Sequence, residues 1–153
     1  MNLQVTTNSQ GILSGSTSLA PNTAAGCRAT VHNGTLYCVY RADTFGRVHL
    51  IKKPQGEAWQ SPEPQSRMSA IELPALVSFN GTLYLFYKAA NDVTYVCTYD
   101  EGLGKFKQTD QLDVVVTETP SFAELNGVLH MFYKGPSARN IYHQRTTDVH
   151  DWT

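Results

Sequence analysis

Three cations recur along this chain beside carboxylate or amide side chains, and each cation follows a tyrosine. The sets are Arg41 with Asp43, Lys88 with Asn91 and Asp92, and Lys134 with Arg139 and Asn140. Hydrogen-bond donors and acceptors placed together can hold vicinal hydroxyl groups, so each set predicts a small site for a polyol such as a sugar. The alternative is that these are solvated loop residues, whose surface ion pairs contribute little stability.

Two glutamates keep the spacing of the second and third cations. Glu72 lies two residues before Pro74, and Glu118 lies two residues before Pro120. Both glutamates are therefore candidates for the same polyol sites. The corresponding position nearer the N-terminus is Ala25, so the first of the three sites would differ from the others.

The candidate residues belong to an internal repeat. The chain reads HNGTLYCVYRA at 32–42, FNGTLYLFYKA at 79–89 and LNGVLHMFYKG at 125–135. Three landmarks recur at steps of 47 and then 46 residues: the Asn-Gly pairs at 33, 80 and 126, the tyrosines at 40, 87 and 133, and the aromatic residues Trp59, Phe106 and Trp152. A fixed period of this length indicates a repeat architecture.

Each repeat predicts β-strands. A first strand ends in Asn-Gly, which is a strong hairpin signal, and a second strand such as TLYLFYK is apolar on both faces. A short polar loop, a third strand and a weaker outer strand follow, and no segment has convincing helical periodicity. We predict one all-β domain over residues 1–153, with four-stranded units of about 27–73, 74–119 and 120–153.

The third unit stops at Trp152-Thr153, before its outer strand. We expect the N-terminal segment 1–26, through LQV or GILSGSTSL, to supply that strand. This arrangement would complete the last unit and remove an exposed sheet edge.

Two closed all-β folds accommodate three such units. A β-trefoil closes as a monomer at about this length, although a trefoil lectin usually has Gln-x-Trp in each unit and none occurs here. A β-propeller is built from four-stranded blades, typically 4–8 of them, so three blades cannot close a ring. We therefore predict three propeller blades that close as a six-bladed propeller by homodimerisation, with the trefoil monomer as the alternative.

The runs NGTLYLFYKAAND and VTYVCTYDEG resemble blades of sialidase-like and tachylectin-like bacterial propellers, over roughly residues 27–153. Such blades often carry an Asp-box turn, Ser-x-Asp-x-Gly-x-x-Trp, which is degenerate here as KKPQGEAW (52–59), TYDEGLGKF (98–106) and TTDVHDW (146–152). In a propeller the loops between second and third strands lie on one face, with the candidate ligand residues. The hairpin and Asp-box turns lie on the opposite face, and the Trp59, Phe106 and Trp152 set is expected to pack between blades.

The resemblance implies a lectin that binds glycans at several repeated sites. Near-symmetric units favour repeated binding over a unique reaction centre, so we predict that the protein is not an enzyme. A protein-interaction or toxin-accessory module is the alternative. A glycosidase is the least expected, because it needs one asymmetric pair of carboxylates.

Composition excludes several other classes. The net charge of -1 and pI near 6.5 provide no basic surface for nucleic acid, and no apolar run is long enough to span a membrane. The five histidines show no metal-ligand spacing, so we expect neither a metal nor a cofactor. The three cysteines are expected to be free, buried thiols. The start of the chain contains no secretory signal pattern, which predicts a cytoplasmic location or release from cells without a signal.

Overall fold

The computed structural model describes residues 3–9, 12–20, 23–136 and 140–153. Within these residues the chain contains no helix, and thus no helix that could span a membrane. Its strands form four antiparallel sheets. The predicted all-β class is confirmed.

Each repeat unit forms a sheet whose strands follow chain order. An N-terminal hairpin pairs β1 (Leu3–Ser9) with β2 (Ile12–Ala20). The first sheet comprises β3 (Cys27–His32), β4 (Thr35–Arg41), β5 (Arg47–Pro54) and β6 (Glu63–Ser69). The second comprises β7 (Ala75–Phe79), β8 (Thr82–Lys88), β9 (Thr94–Asp100) and β10 (Lys105–Gln111). The third comprises β11 (Ser121–Leu125), β12 (Val128–Lys134) and β13 (Ile141–Thr146).

The Asn-Gly pairs form the predicted hairpin turns. The three asparagines, Asn33, Asn80 and Asn126, have φ angles of 47°, 47° and 53°, and the glycines that follow them have φ angles of 73°, 72° and 75°. Two successive residues in the left-handed region are the signature of a type I′ turn, whose twist matches that of the flanking strands. These turns fix the register between the first two strands of every unit.

The three sheets pack face to face around their first strands. Val39 and Leu50 of the first sheet pack against Leu85 of the second sheet in one buried cluster. Phe86 of the second sheet packs against Met131 of the third sheet in another cluster. The first strands β3, β7 and β11 contact one another in sequence, as expected for blades arranged around a propeller axis. The chain therefore adopts a β-propeller arrangement and not a trefoil.

The N-terminal segment does not complete the third sheet in a single chain. Within the described ranges, β1 and β2 pair with each other, whereas the third sheet has three strands. Leu19 of β2 packs instead against the buried residues Cys38, Tyr40 and Ile51, on the face of the first sheet opposite to Val39 and Leu50. Thr153 exchanges two backbone hydrogen bonds with Arg145, as the first residue of a fourth strand would.

The large aromatic landmarks serve as packing groups. Phe106 is buried in the cluster between the first and second sheets, and Trp152 packs with Phe122 at a centroid distance of 6.2 Å. Trp59 packs against the first sheet, in the cluster that contains Tyr40. The cysteines are free, with Cys38 and Cys97 buried and Cys27 half-buried. Burial raises the pKa of the Cys97 thiol to about 12.

The degenerate turn at 146–152 keeps the hydrogen bonding of an acidic turn. An Oδ1 atom of Asp148 accepts the backbone N–H groups of His150 at 2.9 Å and Asp151 at 3.0 Å, and the hydroxyl of Thr146 at 3.0 Å. The indole N–H of Trp152 donates to the carbonyl of Val149 at 3.1 Å. The N–H groups of Asp151 and His150, followed by the Thr146 hydroxyl, hold the pKa of Asp148 below its ordinary value.

This turn predicts an acid-sensitive contribution to stability. At neutral pH the Asp148→Asn variant should unfold at a lower temperature than the wild type, because a neutral amide accepts these hydrogen bonds more weakly. Since the folded-state pKa is depressed, the difference is present above the unfolded pKa of about 3.9 and is lost as the pH falls through the folded-state value. Thermal melts from neutral to acidic pH measure it, with the exposed Asp113→Asn as the control. If the difference in unfolding temperature between wild type and Asp148→Asn stayed constant down to acidic pH, the stabilising role of the Asp148 carboxylate would be contradicted.

Candidate functional site

The loops between second and third strands and the linkers into each unit meet at one end of the sheets. The carbonyl of each repeated cation accepts the N–H of a linker residue. The pairs are Ala24 to Arg41 at 3.0 Å, Ile71 to Lys88 at 2.8 Å and Thr117 to Lys134 at 2.9 Å. We call this end the loop face. The sequence analysis predicted that the ligand-binding residues lie on this face.

Lys88 is buried at the loop face and is bound by protein groups. It is only 6% exposed, and its Nζ donates to the carbonyls of Val116 at 2.8 Å and Thr117 at 3.4 Å. The same ammonium pairs with Asp92 at 3.1 Å. Lys88 therefore links the second sheet to the linker that opens the third unit, so its charge has partners without any ligand.

The first cation set does not assemble as the sequence suggested. Asp43 pairs with Arg47 and not with Arg41. Arg41 is half-buried, and its Nε is buried with no hydrogen-bond partner among the described residues. The first predicted set is thus replaced by an ion pair within the β4–β5 loop.

The remaining predicted residues differ in their hydrogen bonding and in their burial. Asn91 donates to the hydroxyl of Tyr95 at 2.9 Å. Glu72 is half-buried, whereas Glu118, Lys134 and Asn140 are exposed. Arg139 lies outside the described residues.

A groove of about 400 Å³ opens at the loop face between the first and second sheets. Its polar and aromatic lining, which we call the first groove, comprises Arg67, Ser69, Tyr87, Asn91, Tyr95 and Gln108. Strand β6 supplies the first two of these residues, and the second sheet with its β8–β9 loop supplies the rest. The groove combines a guanidinium, two amides, hydroxyl groups and aromatic rings within one concave surface.

Two tyrosine rings of the second sheet line the first groove, and one of them, Tyr87, is only 4% exposed. Tyr87 and Tyr95 pack with centroids 5.4 Å apart at 35°, and the bond from Asn91 fixes the Tyr95 hydroxyl. Burial, followed by the neighbouring Cys97 and Tyr95, raises the pKa of Tyr87 to about 12, so its hydroxyl remains protonated at physiological pH. Ser69 donates to the carbonyl of Phe45 at 2.6 Å, which brings a loop with a 79% exposed aromatic side chain beside the groove.

The ring pair is itself part of the repeat. Tyr40 packs with His49 at 5.7 Å in the first sheet, and Tyr133 packs with Tyr142 at 5.6 Å in the third. The third-sheet pair lines a smaller groove of about 260 Å³ with Val114, Val115, Gly135 and Pro136. Among the described residues, none that lines this smaller groove is charged, whereas the first groove contains Arg67.

A third cavity, of about 390 Å³, lies between the end of β10 and residues 150–153. Trp152, Asp113 and Asp151 line it, together with Gln144, whose Oε1 is buried without a partner in the described part of the chain. At this boundary His150 pairs with Asp110 at 3.0 Å, and that carboxylate raises the pKa of the imidazole. This cavity is a second polar site that the sequence did not predict.

Glu72 and Glu118 lie just before β7 and β11, the first strands of consecutive units. Because β7 contacts β11 and the two strands are equivalent members of the repeat, their starting ends lie at the same end of the sheets. The linkers that carry the two glutamates therefore lie at the loop face. Across the described residues, no group of three or more His, Cys, Asp or Glu side chains could hold a metal ion.

No protein-family model and no curated protein sequence matches the chain. Solved structures do match its fold. Zg3597, a family 117 glycoside hydrolase from the marine bacterium Zobellia galactanivorans, aligns with a TM-score of 0.64 at 14% identity, over 90% of this chain and 50% of that protein. GH43B of a xyloglucan PUL of Bacteroides ovatus aligns with a TM-score of 0.58 at 15% identity, over 84% of this chain and 28% of that protein. A thermostable family-43 glycoside hydrolase aligns with a TM-score of 0.58 at 15% identity, over 83% of this chain and 49% of that protein.

These neighbours support the propeller fold, and they change two predictions. They are β-propeller glycoside hydrolases and do not single out sialidase-like or tachylectin-like repeats. The prediction that the protein is not an enzyme is contradicted, since the neighbours are enzymes. At this identity the likeness establishes the fold and not an activity, and the chain spans half or less of each neighbour's length.

Sequence reasoning missed most of the first groove. Arg67, Ser69 and Gln108 come from the outermost strands β6 and β10, which carry little of the repeat. The tyrosine pair carried a usable signal, because a ring recurs eight or nine residues after each repeated tyrosine, at His49, Tyr95 and Tyr142.

The burial of Lys88 predicts a loss of stability when its charge is removed. Lys88→Met keeps the apolar stem but leaves the carbonyls of Val116 and Thr117 without their donor. We expect unfolding in urea to show a loss of about 1–3 kcal/mol. Lys105→Met is the matched control, because the Lys105 ammonium is 3.9 Å from Glu63 at the surface and such pairs contribute at most about 1 kcal/mol. Equal stabilities for the two variants would contradict the assigned role of Lys88.

Proposed function

We propose that this chain binds carbohydrate in the first groove. The observation that carries the proposal is the combination of the Tyr87–Tyr95 ring pair with Arg67, Asn91 and Gln108 in one groove at the loop face. A sugar ring offers an apolar C–H face to aromatic rings and a rim of hydroxyls to amide and guanidinium groups. The aromatic surface that the groove presents comes from the half-buried Tyr95, because Tyr87 is only 4% exposed. The amide and guanidinium groups line the same groove.

Two further features support a glycan ligand. The backbone of Phe45 is bonded to Ser69 of the groove, and in this proposal its exposed ring offers a second surface for a sugar or an adjoining residue of an oligosaccharide. The chain shares its fold with carbohydrate-active propellers, although this likeness does not indicate which sugar it binds. The ring pairs of the first and third sheets could serve as weaker, repeated subsites, which would add avidity for a polymeric ligand.

Hydrolysis of a glycosidic bond is the second candidate function. Its specific support is the placement of Glu72 and Glu118 just before the start of two first strands, β7 and β11, that contact each other. A glycosidase needs one carboxyl group to protonate the leaving oxygen and a second carboxylate to act as base or nucleophile. In this proposal the two glutamates divide these roles, and the first groove holds the sugar beyond the scissile bond.

Removing one amide from the groove should weaken glycan binding. The labelled wild-type protein is first applied to a glycan array, and its best ligand is then titrated against Gln108→Ala. Loss of one ligand hydrogen bond of about 1 kcal/mol should raise the dissociation constant roughly fivefold. Gln60→Ala, an exposed glutamine outside the groove, is the control and should bind as the wild type does. A blank array from folded protein, or unchanged binding by Gln108→Ala, would contradict the site and favour a protein partner.

Replacing either glutamate by its amide should abolish hydrolysis without abolishing binding. A panel of aryl glycosides and oligosaccharides is incubated with wild type, Glu72→Gln and Glu118→Gln, and released sugar is measured. General acid–base catalysis contributes about 10²–10⁴-fold, so each variant should lose at least about a hundredfold in rate. Glu124→Gln, an exposed glutamate on β11, is the control. Rates that are equal in all three variants would remove the two glutamates from the mechanism.

A further inference from the structure

One face of the third sheet is open where the same face of the other sheets is buried. Val39, Phe86 and Phe132 occupy the same position of the repeat, 47 and then 46 residues apart. Val39 and Phe86 are 0% exposed, whereas Phe132 is 43% exposed. Their cross-strand partners follow the same order, since Leu50 and Val96 are buried but His143 is exposed.

The open face is apolar and aromatic at its centre and cationic at its edges. Ile141 is 70% exposed there, and Phe132 stacks on His143 with centroids 4.9 Å apart. Lys134 and Arg145 stand opposite Ile141 and His130 on the same side of the strands. We call this surface the open face of the third sheet.

The first two sheets indicate what such a face requires. Each is covered by the second and third strands of the following unit, through Leu85 with Cys97 in one case and Met131 in the other. The residues in phase with Leu85 and Cys97 in the first unit are Cys38 and Ile51, which pair across β4 and β5. These two residues are 4% and 1% exposed and pack with Leu19 of β2, so they match the open face once the N-terminal hairpin has moved from them.

A second observation points to the same partner. Lys88 reaches forward to the carbonyl of Val116, in the linker that opens the next unit. Lys134 is the next cation in phase, and it is exposed. The position in phase with Val116 at the start of the first unit is Thr23, beside the residue that bonds to the Arg41 carbonyl.

We propose that a second copy of this chain covers the open face of the third sheet. The first unit of that copy presents Cys38, Tyr40 and Ile51 to Phe132 and His143, and Lys134 reaches the Thr23 linker of that copy as Lys88 reaches Val116. Two such junctions around a two-fold axis close six blades. The N-terminal hairpin, whose Leu19 touches Cys38, Tyr40 and Ile51, moves aside when the copy binds.

Packing of two open faces on each other is disfavoured by charge. That arrangement would bring Lys134 and Arg145 of one copy towards the same cations of the other, and like charges at an interface cost binding energy. Pairing the open face with the first unit avoids this repulsion. The proposal does not depend on carbohydrate binding.

The mass of the protein in solution tests the proposal. Sedimentation equilibrium from low to high micromolar concentration should give a dimer for the wild type. Phe132→Asp should raise the dissociation constant at least about thirtyfold, as expected for a buried aromatic anchor. Leu103→Asp, at a 61% exposed leucine in the β9–β10 turn, should remain dimeric. Circular dichroism checks that each variant is folded.

A second variant distinguishes the two ways of pairing. Lys134→Met should weaken the dimer if Lys134 donates to the linker of the other copy. It should leave the dimer unchanged or tighten it if two open faces meet, because it then removes a repulsive charge. A monomeric wild type at every concentration, a dimer that survives Phe132→Asp, or a Lys134→Met dimer as tight as the wild type would each overturn the proposal.

Discussion

The structure depends on the burial of both faces of β8, the second strand of the central unit. In β8 the side chains of Leu85 and Phe86 point to opposite faces of the sheet, and both are fully buried. A single four-stranded sheet cannot bury two apolar faces, so each unit needs a neighbour on either side. Stacking around an axis meets this need, and it sets the loops of successive units beside one another at one end.

The grooves at the loop face follow from this stacking. The first groove lies between β6, the outermost strand of the first unit, and the strands β8, β9 and β10 of the second unit. Tyr87 and Tyr95 come from the conserved geometry of the repeat, whereas Arg67 and Gln108 come from the variable outer strands. In the proposed binding of carbohydrate, the first groove therefore combines aromatic residues that recur in every unit with polar residues that occur only between the first and second sheets.

Much of the fold could be predicted from the sequence because its signals are local. The Asn-Gly turns need left-handed backbone, and the apolar runs on both faces of the second strands require coverage on both sides. The roles of the loop residues were harder to predict, because they depend on the neighbouring unit. Lys88 and Lys134 look alike in sequence, yet Lys88 is buried against Val116 and Lys134 is exposed. The first groove escaped prediction because Ser69 and Tyr87 are brought together by packing and not by spacing along the chain.

Amide chemical shifts test directly whether carbohydrate binds in the first groove. The isotope-labelled protein would be titrated with its best glycan while the backbone resonances are recorded. We predict shifts at residues 67–69, 87–95 and 108, with little change at the third cavity around residues 150–153. Shifts confined to residues 150–153, or no shifts with any glycan, would contradict carbohydrate binding in the first groove.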